Sequence, residues 1–371
     1  MDPRSGPGAA GTCNWVKSDI STHSTGTGAR CCAGGERVVC YGVDRPDFTQ
    51  LGALMVEISV VIAARNAART LPHQLRALAA QRPDAAWEVL VADNGSSDDT
   101  VRVVQEARGR LPGLRCVDAS AVLGAGAARN AAAAEARGRS LLFCDADDVV
   151  APGWADALHR ALAGAALAAG RLEWARLNAH ADQASRALPQ QRGLQYSEPL
   201  PWLPAASSSN LGVRRDVFDR LGGFDPAARF LQDTDLCWRA QLGGERLAFQ
   251  PEAVVHMRLR EGVRGAWRQG RNSGMGQRWL AARFGPARDL LAREVGEAEA
   301  APPPRARRAW PARVARRAVL VGGDLLRLRG RGDVARLSWT TGFGIGYALG
   351  GLPDPDPFPT DAVALAAIPA H

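Results

Sequence analysis

The stretch LLFCDADDVV, Leu141 to Val150, starts as a buried strand should and then gathers three carboxylates, Asp145, Asp147 and Asp148. Like charges collected where a strand runs out repel one another and are costly unless a cation neutralises them. In extended backbone the first and third residues of Asp-Ala-Asp point to the same side. Asp145 and Asp147 could therefore share a divalent ion, or one could hold the ion while the other accepts from a hydroxyl. Oxygen-only ligands with room for phosphate oxygens suit Mg²⁺ or Mn²⁺ better than Zn²⁺. An Asx turn leading into a helix at Pro152 would use the same residues.

Other residues could do chemistry at similar places. Asp93 closes the apolar run WEVLVAD, and Asp233 and Asp235 sit in QDTDLCWR. His256 ends AVVHM, and Arg268 and Arg271 lie one helical turn apart. A carboxylate such as Asp233 could take a proton from an acceptor hydroxyl, but an acidic residue is also common at a helix start. Paired arginines could hold a diphosphate through bidentate contacts. Imidazole is a usual metal ligand, and a lone His at the end of an apolar strand is also often packed in the core.

Positioning such groups requires a frame, and the spacing supplies one. EISVVIA (57–63) reads as a β-branched strand, followed by a helix with Leu71, Leu75 and Leu78 on one face. WEVLVAD is a second strand; Ser96 or Ser97 could cap the helix carrying Val101, Val103 and Val104. LRCVDA is a third strand, GAGAARNAAAAEARG (124–138) an Ala-rich helix, and SLLFCDAD a fourth strand. Continuously apolar strands alternating with helices predict a mostly parallel sheet covered on both faces. Such sheets bind ligands at the carboxyl ends of their strands, where strand order reverses. Asp93 and Asp145 to Asp148 fall at those ends. Beyond Pro152 a helix and the strand ALAAGRLEWA are expected, then a loop over the site (179–204), ordered segments over 207–225 and 230–244, the strand RLAFQPEAVVHM, and a helix ending near Phe284.

SVVIAARN, VLVADNGSSDDT, GAGAARNAA, LLFCDADD, NLGVRRDVFDRLGGFD and QDTDLCWR follow one another in this order. The series resembles the family 2 glycosyltransferases, enzymes of the GT-A fold that use nucleotide sugars, over about residues 57 to 285. The resemblance implies an α/β nucleotide-diphospho-sugar transferase fold and sugar transfer with inversion to a hydroxyl on a glycan or lipid carrier. It implies that Ala63, Ala64, Arg65, Asn66 and Asp93 form the nucleoside pocket, with Arg129 near the base and diphosphate. Asp145 would approach the ribose or the metal, Asp147 would ligate Mg²⁺ or Mn²⁺, and His256 would be a third ligand. Asp233 would be the general base, and Arg268 and Arg271 would steady the departing diphosphate. Gln232 stands where the family has Glu, and Ala63 where many members have Pro. QRW at Gln277 is not the QxxRW of processive polymerases, which points to transfer of single sugars. A nucleotidyltransferase on a related sheet would need a glycine-rich phosphate loop after the first strand, and AARNAART has no glycine. A non-catalytic sugar-nucleotide scaffold is the remaining alternative, against which Asp147 and Asp233 both stand intact.

The bulk composition bounds the rest. A chain of 371 residues with 46% hydrophobic and 23% charged content is that of a globular protein with ample core. No apolar run approaches the roughly 20 residues of a membrane span, and no secretory signal is legible, so a cytoplasmic protein is expected. Residues 1–54 hold Lys17, the only lysine, and Cys13, Cys31, Cys32 and Cys40 without CxxC spacing. That segment reads as disordered or as a start placed too early, rather than as a metal module. Cys116, Cys144 and Cys237 read as buried thiols in a reducing compartment. The expected organisation is a catalytic domain over 55–285, with a nucleotide-binding half (55–150) and an acceptor half (151–285). A linker (286–312), a basic helical extension (313–352) and a tail (353–371) follow. The net charge is +8. Much of the excess Arg lies after Val254, where a basic, intermittently apolar extension could rest on the inner face of an anionic membrane or pack on the catalytic domain. No module or aromatic-basic platform for nucleic acid is present.

Overall fold

The computed structural model describes residues 55–179, 190–260, 262–294 and 330–364. These fall within one compact unit, Asp47–His371. The expectations for 1–54, for most of the linker and for the start of the basic extension lie outside the described residues.

Strand β1 (Ile58–Ala64) is buried along nearly its whole length. Its β-branched residues suit a central strand covered on both faces. It is followed by α1 (Leu71–Ala79), β2 (Trp87–Asp93), α2 (Thr100–Ala107), β3 (Arg115–Asp118), α3 (Ala125–Glu135) and β4 (Ser140–Asp145). Strand β1 pairs in parallel with both β2 and β4, bringing Ala64 opposite Asp93 and Ala63 opposite Asp145. The chain continues through β5 (Val149–Val150), α4 (Trp154–Ala161), β6 (Leu167–Glu173), β7 (Gln195–Ser197), β8 (Leu200–Ala205), β9 (Asn210–Arg214) and α5 (Arg215–Arg220). Then come α6 (Gln232–Leu242), β10 (Leu247–His256), α7 (Gly262–Glu294), α8 (Arg331–Leu349) and a single 3-10 turn at Thr360–Ala362.

The large sheet has the order β3-β2-β1-β4-β9-β6-β10-β5. Strand order reverses between β1 and β4, so their carboxyl ends open the crevice where such sheets bind ligands. Strand β9 runs antiparallel between β4 and β6. One face of the sheet is covered by α1, α2 and α4, centred on Leu71, Leu75, Leu78 and Trp154. On the other, α3, α5 and α6 pack through Ala128, Ala132, Phe218 and Leu236. The alanines let α3 approach the sheet closely without loss of helix propensity.

Three expectations are corrected. The region read as a loop, 179–204, contributes β7 and β8, which pair as an antiparallel hairpin. The helix expected to stop near Phe284 runs on to Glu294 through Pro286, across the boundary drawn at residue 285. The supposed tail packs on the domain. Phe358 stacks on Phe284 with ring centroids 5.5 Å apart, and its N–H donates to the Arg283 carbonyl at 2.8 Å. Trp238, Trp279, Leu280 and Phe284 are buried in the same cluster, which joins α6 to α7. Each such side chain contributes roughly 1.5–3 kcal/mol on burial.

Candidate active site

A cavity of about 730 Å³ opens at the carboxyl ends of β1 and β4. Ala63, Ala64, Arg65, Asn66, Arg129, Asp145, Asp147 and Arg268 all line it. So do Asn94, Arg258 and Arg260, which the sequence did not single out. A second cavity of about 550 Å³ holds Asp233, Gln232, Asp225 and Arg229. Asp147 and Asp233 thus line different cavities, but the two adjoin: Arg65, Gly124, Ala125, Arg260 and Arg268 line both.

The loops around β1 and β2 brace each other. Asn66 takes the left-handed conformation (φ 52°), which an Asn tolerates better than most residues. Its side-chain oxygen accepts from the Ser97 N–H at 2.8 Å, and its own N–H donates to Ser96 Oγ at 2.9 Å. Ser96 and Ser97 therefore brace the cavity wall, and neither caps α2, whose first turn instead has Asp98 accepting from the Thr100 N–H. Asn94 donates to the carbonyls of Ala119 and Val122 and accepts from the Gly124 N–H, which fixes the entry to α3. Asp93 lines neither cavity. Its Oδ2 accepts from the Ser96 N–H at 3.2 Å, and its Oδ1 is buried with no partner.

The carboxylates of Asp145, Asp147 and Asp148 each place an oxygen within 4.8 Å of the others. Arg129, 3% exposed, donates to Asp145 Oδ1 at 2.5 Å, and its guanidinium lies over the Phe224 ring. Asp148 accepts from the Arg258 N–H at 2.8 Å through Oδ1, while its Oδ2 is buried and unpartnered. Burial, then the neighbouring Asp145 and Asp147 charges, push the Asp148 carboxyl well above the usual carboxylate range. Asp147 is raised too, by burial first and then by Asp145, against the pull of Arg260 and Arg258. An orphaned buried oxygen and two carboxyls reluctant to ionise are what three acids await when a cation is to join them. Their oxygen-only chemistry fits Mg²⁺ or Mn²⁺.

His256 does not belong to this group. Among the described residues the cluster comprises Asp145, Asp147 and Asp148. His256 Nδ1 instead meets Glu173 Oε2 at 2.6 Å, across the β6–β10 pairing. The third carboxylate beside Asp145 and Asp147 is Asp148, a residue of the motif itself.

Asp233 is the second residue of α6. Its Oδ2 accepts from the Ser208 N–H at 3.0 Å and from Ser208 Oγ at 3.3 Å, and its Oδ1 accepts from the Thr234 N–H at 2.9 Å. The helix is entered through Leu231 in the left-handed region (φ 57°), a costly conformation for a branched side chain. Behind it, Asp235 is fully buried against Arg239 Nε at 2.8 Å and Arg283 Nε at 3.0 Å. Burial raises its carboxyl even so. Arg239 also donates to the carbonyls of Leu221 and Gly223, and Arg283 reaches Asp225 at 2.9 Å. This network holds α6 in place. Ser208, which orients Asp233, escaped sequence reading, and its only signal was the SSSN run before β9.

Of the two arginines on α7, Arg268 lines both cavities and Arg271 neither. The backbone of Arg271 faces α8, where a Cβ on Gly346 would come within 2.0 Å of its carbonyl oxygen. Among the described residues the guanidinium groups of Arg65, Arg260 and Arg268 have no hydrogen bond or ion pair. They are left to an anion.

Comparison with known proteins agrees with this arrangement. Residues 59–222 match the model of the family described as Glycosyl transferase family 2. The match ends before α6, so Asp233 and Arg268 lie outside it. Glycosyltransferase AglE of Haloferax volcanii is 27% identical over 202 residues, 53% of this chain and 65% of that protein. Succinoglycan biosynthesis protein ExoO of Rhizobium meliloti is 31% identical over 222 residues, 56% of this chain and 62% of that protein. The chain thus matches less than two thirds of the length of either relative. In fold it is similar to the mannosyltransferase PcManGT from Pyrobaculum calidifontis, solved with GDP-Man and Mn²⁺. The TM-score is 0.52 at 19% identity, covering 80% of this chain and 88% of that one. A sheet of the GT-A type, a strand-end carboxylate cluster and a family model matching residues 59–222 make this part of the chain similar to glycosyltransferase family 2.

Proposed function

We propose that the chain transfers a sugar from a nucleotide-diphosphate donor to a hydroxyl on a glycan or lipid carrier, with inversion. The observation that carries this reading is the adjoining pair of cavities, one with the carboxylate cluster and unpaired arginines, the other with an oriented carboxylate, Asp233. The relatives support sugar transfer through their names, and the mannosyltransferase of similar fold holds ligands of the proposed classes.

In this reading the donor lies in the larger cavity. The backbone from Ala63 to Asn66 and the Arg129 side chain border the nucleoside, and Asp93 braces the wall behind them by accepting from the Ser96 N–H. Asp145, Asp147 and Asp148 would hold Mg²⁺ or Mn²⁺, whose charge when bound stabilises the departing diphosphate. Arg65, Arg260 and Arg268 add preorganised positive charge at the junction, where the diphosphate develops its negative charge. Asp233 takes the proton of the acceptor hydroxyl. That oxygen forms the new bond to the anomeric carbon as the bond to the diphosphate breaks, and the electron pair leaves with the diphosphate. The hydrogen bonds donated by Ser208 and Thr234 fix the orientation of the carboxylate.

The test is Asp233→Asn. Transfer is expected to fall by about 10²–10⁴-fold, while nucleotide-sugar binding, read by thermal shift with Mn²⁺, persists. Transfer at the parent rate in this variant would remove Asp233 from the chemistry.

A further inference from the structure

Helices α7 and α8 form a pair with an unusual dry seam. A Cβ on Gly270 would come 2.1 Å from the Trp339 carbonyl oxygen, and one on Gly274 would come 2.1 Å from that of Phe343. On α8, Gly342 and Gly346 approach the backbone of Trp267 and Arg271 in the same way. The glycines therefore fix which faces of the two helices remain outside the seam. On α8, Val334, Ser338, Thr341, Ile345 and Leu349 recur at helical spacing and form one stripe. Val334 and Ile345 are each 38% exposed and Leu349 is 76% exposed. Trp267, 38% exposed, and Val263, 46% exposed, flank this stripe from α7, because Ser338 Oγ donates to the Val263 carbonyl and Gly342 lies against Trp267.

The charge beside this apolar stripe is mainly positive, with Asp354 lining a small cavity beside Arg278 at its C-terminal end. Arg264, Arg278 and Arg331 are exposed near it, and α7 has no acidic residue before Asp289. The one acid of α8, Asp333, forms an ion pair with Arg336, and helical spacing puts both on the opposite flank. Apolar side chains bordered by more arginines than acids complement an anionic lipid surface, where the side chains enter the headgroup boundary and the guanidiniums meet the lipid charge. No helix among the described residues is long and apolar enough to cross a membrane, so the fit is to the surface.

We infer that the stripe Val334–Ile345–Leu349, with Trp267 and the flanking arginines, is a docking face for an anionic bilayer. The inference builds on the proposed transferase only in giving a lipid-linked acceptor a reason; the binding itself does not depend on catalysis. Other faces of α7 line both cavities through Arg268, Gln269 and Asn272, so docking would set the acceptor cavity beside the lipid surface.

The test is co-sedimentation of the full chain with vesicles of phosphatidylcholine alone and of phosphatidylcholine mixed with phosphatidylglycerol, at low and high salt. Binding is expected to the mixed vesicles only, and to weaken with salt. The double variant Ile345→Glu/Leu349→Glu is expected to bind about tenfold more weakly or worse. Tyr347→Ser, on the opposite flank, is expected to bind as the parent does. Donor hydrolysis in solution, measured on the same variants, separates the two proposals: it should be unchanged in both, and its absence from every protein including the parent would count against the transferase and not against docking. Equal binding by parent and double variant would overturn the docking face and assign any affinity to basic residues elsewhere. Failure of the parent to bind, with a dimer in solution that the double variant loses, would overturn it in favour of an interface between copies.

Discussion

Asp148 is the residue whose surroundings differ most from what its position in a motif implies. It is 1% exposed, one oxygen has no partner, and two further carboxylates lie beside it. Its folded-state affinity for a proton is raised above the ordinary value, so the folded chain binds that proton more readily than the unfolded one. Stability from this group is therefore fully present at acidic pH and is lost as pH rises through the raised value. Asp148→Asn keeps an acceptor for the Arg258 N–H and removes the charge. In metal-free protein at neutral pH it is expected to raise stability by about 1–3 kcal/mol and to flatten the fall of stability with pH, as denaturant unfolding at several pH values would reveal. No gain at neutral pH would mean that the carboxyl is already relieved by another route. Asp145 and Asp147 were legible because the motif places them at a strand end. The pairing of His256 was not. Strand β10 carries three residues more than β6 between Gln250 and Val254, and this bulge, which no local pattern announces, decides that His256 lies opposite Glu173.

At the scale of elements, the parallel half of the sheet was readable because each strand is a continuous apolar run flanked by helix signals. The strand order and register that bring Ala63 beside Asp145 are not contained in the alternation, which implies only parallel strands. The β7–β8 hairpin, the continuation of α7 past Pro286 and the packing of Phe358 were not readable, because each depends on a partner remote in sequence. The α7–α8 seam belongs to the same class, since glycines read locally as helix-weakening. Here they permit backbone contact that a larger residue forbids. Gly346→Leu is expected to separate α8 from α7 and to cost about 1–3 kcal/mol, with increased protease access at α8 and little change in nucleotide binding. Thermal unfolding and limited proteolysis would detect the change. An unaffected variant would show that the seam yields without loss.

For the molecule as a whole, a carboxylate cluster and unpaired arginines lining the same cavity imply coupled binding. The carboxylate cluster needs positive charge and the free arginines need negative charge, so Mn²⁺ and a nucleoside diphosphate should bind better together than singly. At ligand concentrations about a hundredfold above the dissociation constant, each contributes about 2.7 kcal/mol to stability, and the pair is expected to exceed the sum. Differential scanning calorimetry of the parent and of Asp147→Asn, with each ligand and with both, would measure this. The synergy is expected to vanish in the variant. It should also shrink in the parent as pH falls through the raised values of Asp147 and Asp148, because protons then compete with the cation. Additive shifts at every pH would argue for two independent sites.

Gly276 on α7 sits against the residues that lead into α6. A Cβ there would lie 2.9 Å from the Phe230 carbonyl oxygen and 3.0 Å from Leu231 Cγ. The left-handed turn at Leu231 is thereby wedged from behind by bare backbone. The entry to the helix that carries Asp233 is thus pinned by a neighbouring helix, and a single added methyl at position 276 is expected to shift the proposed proton acceptor from a distance.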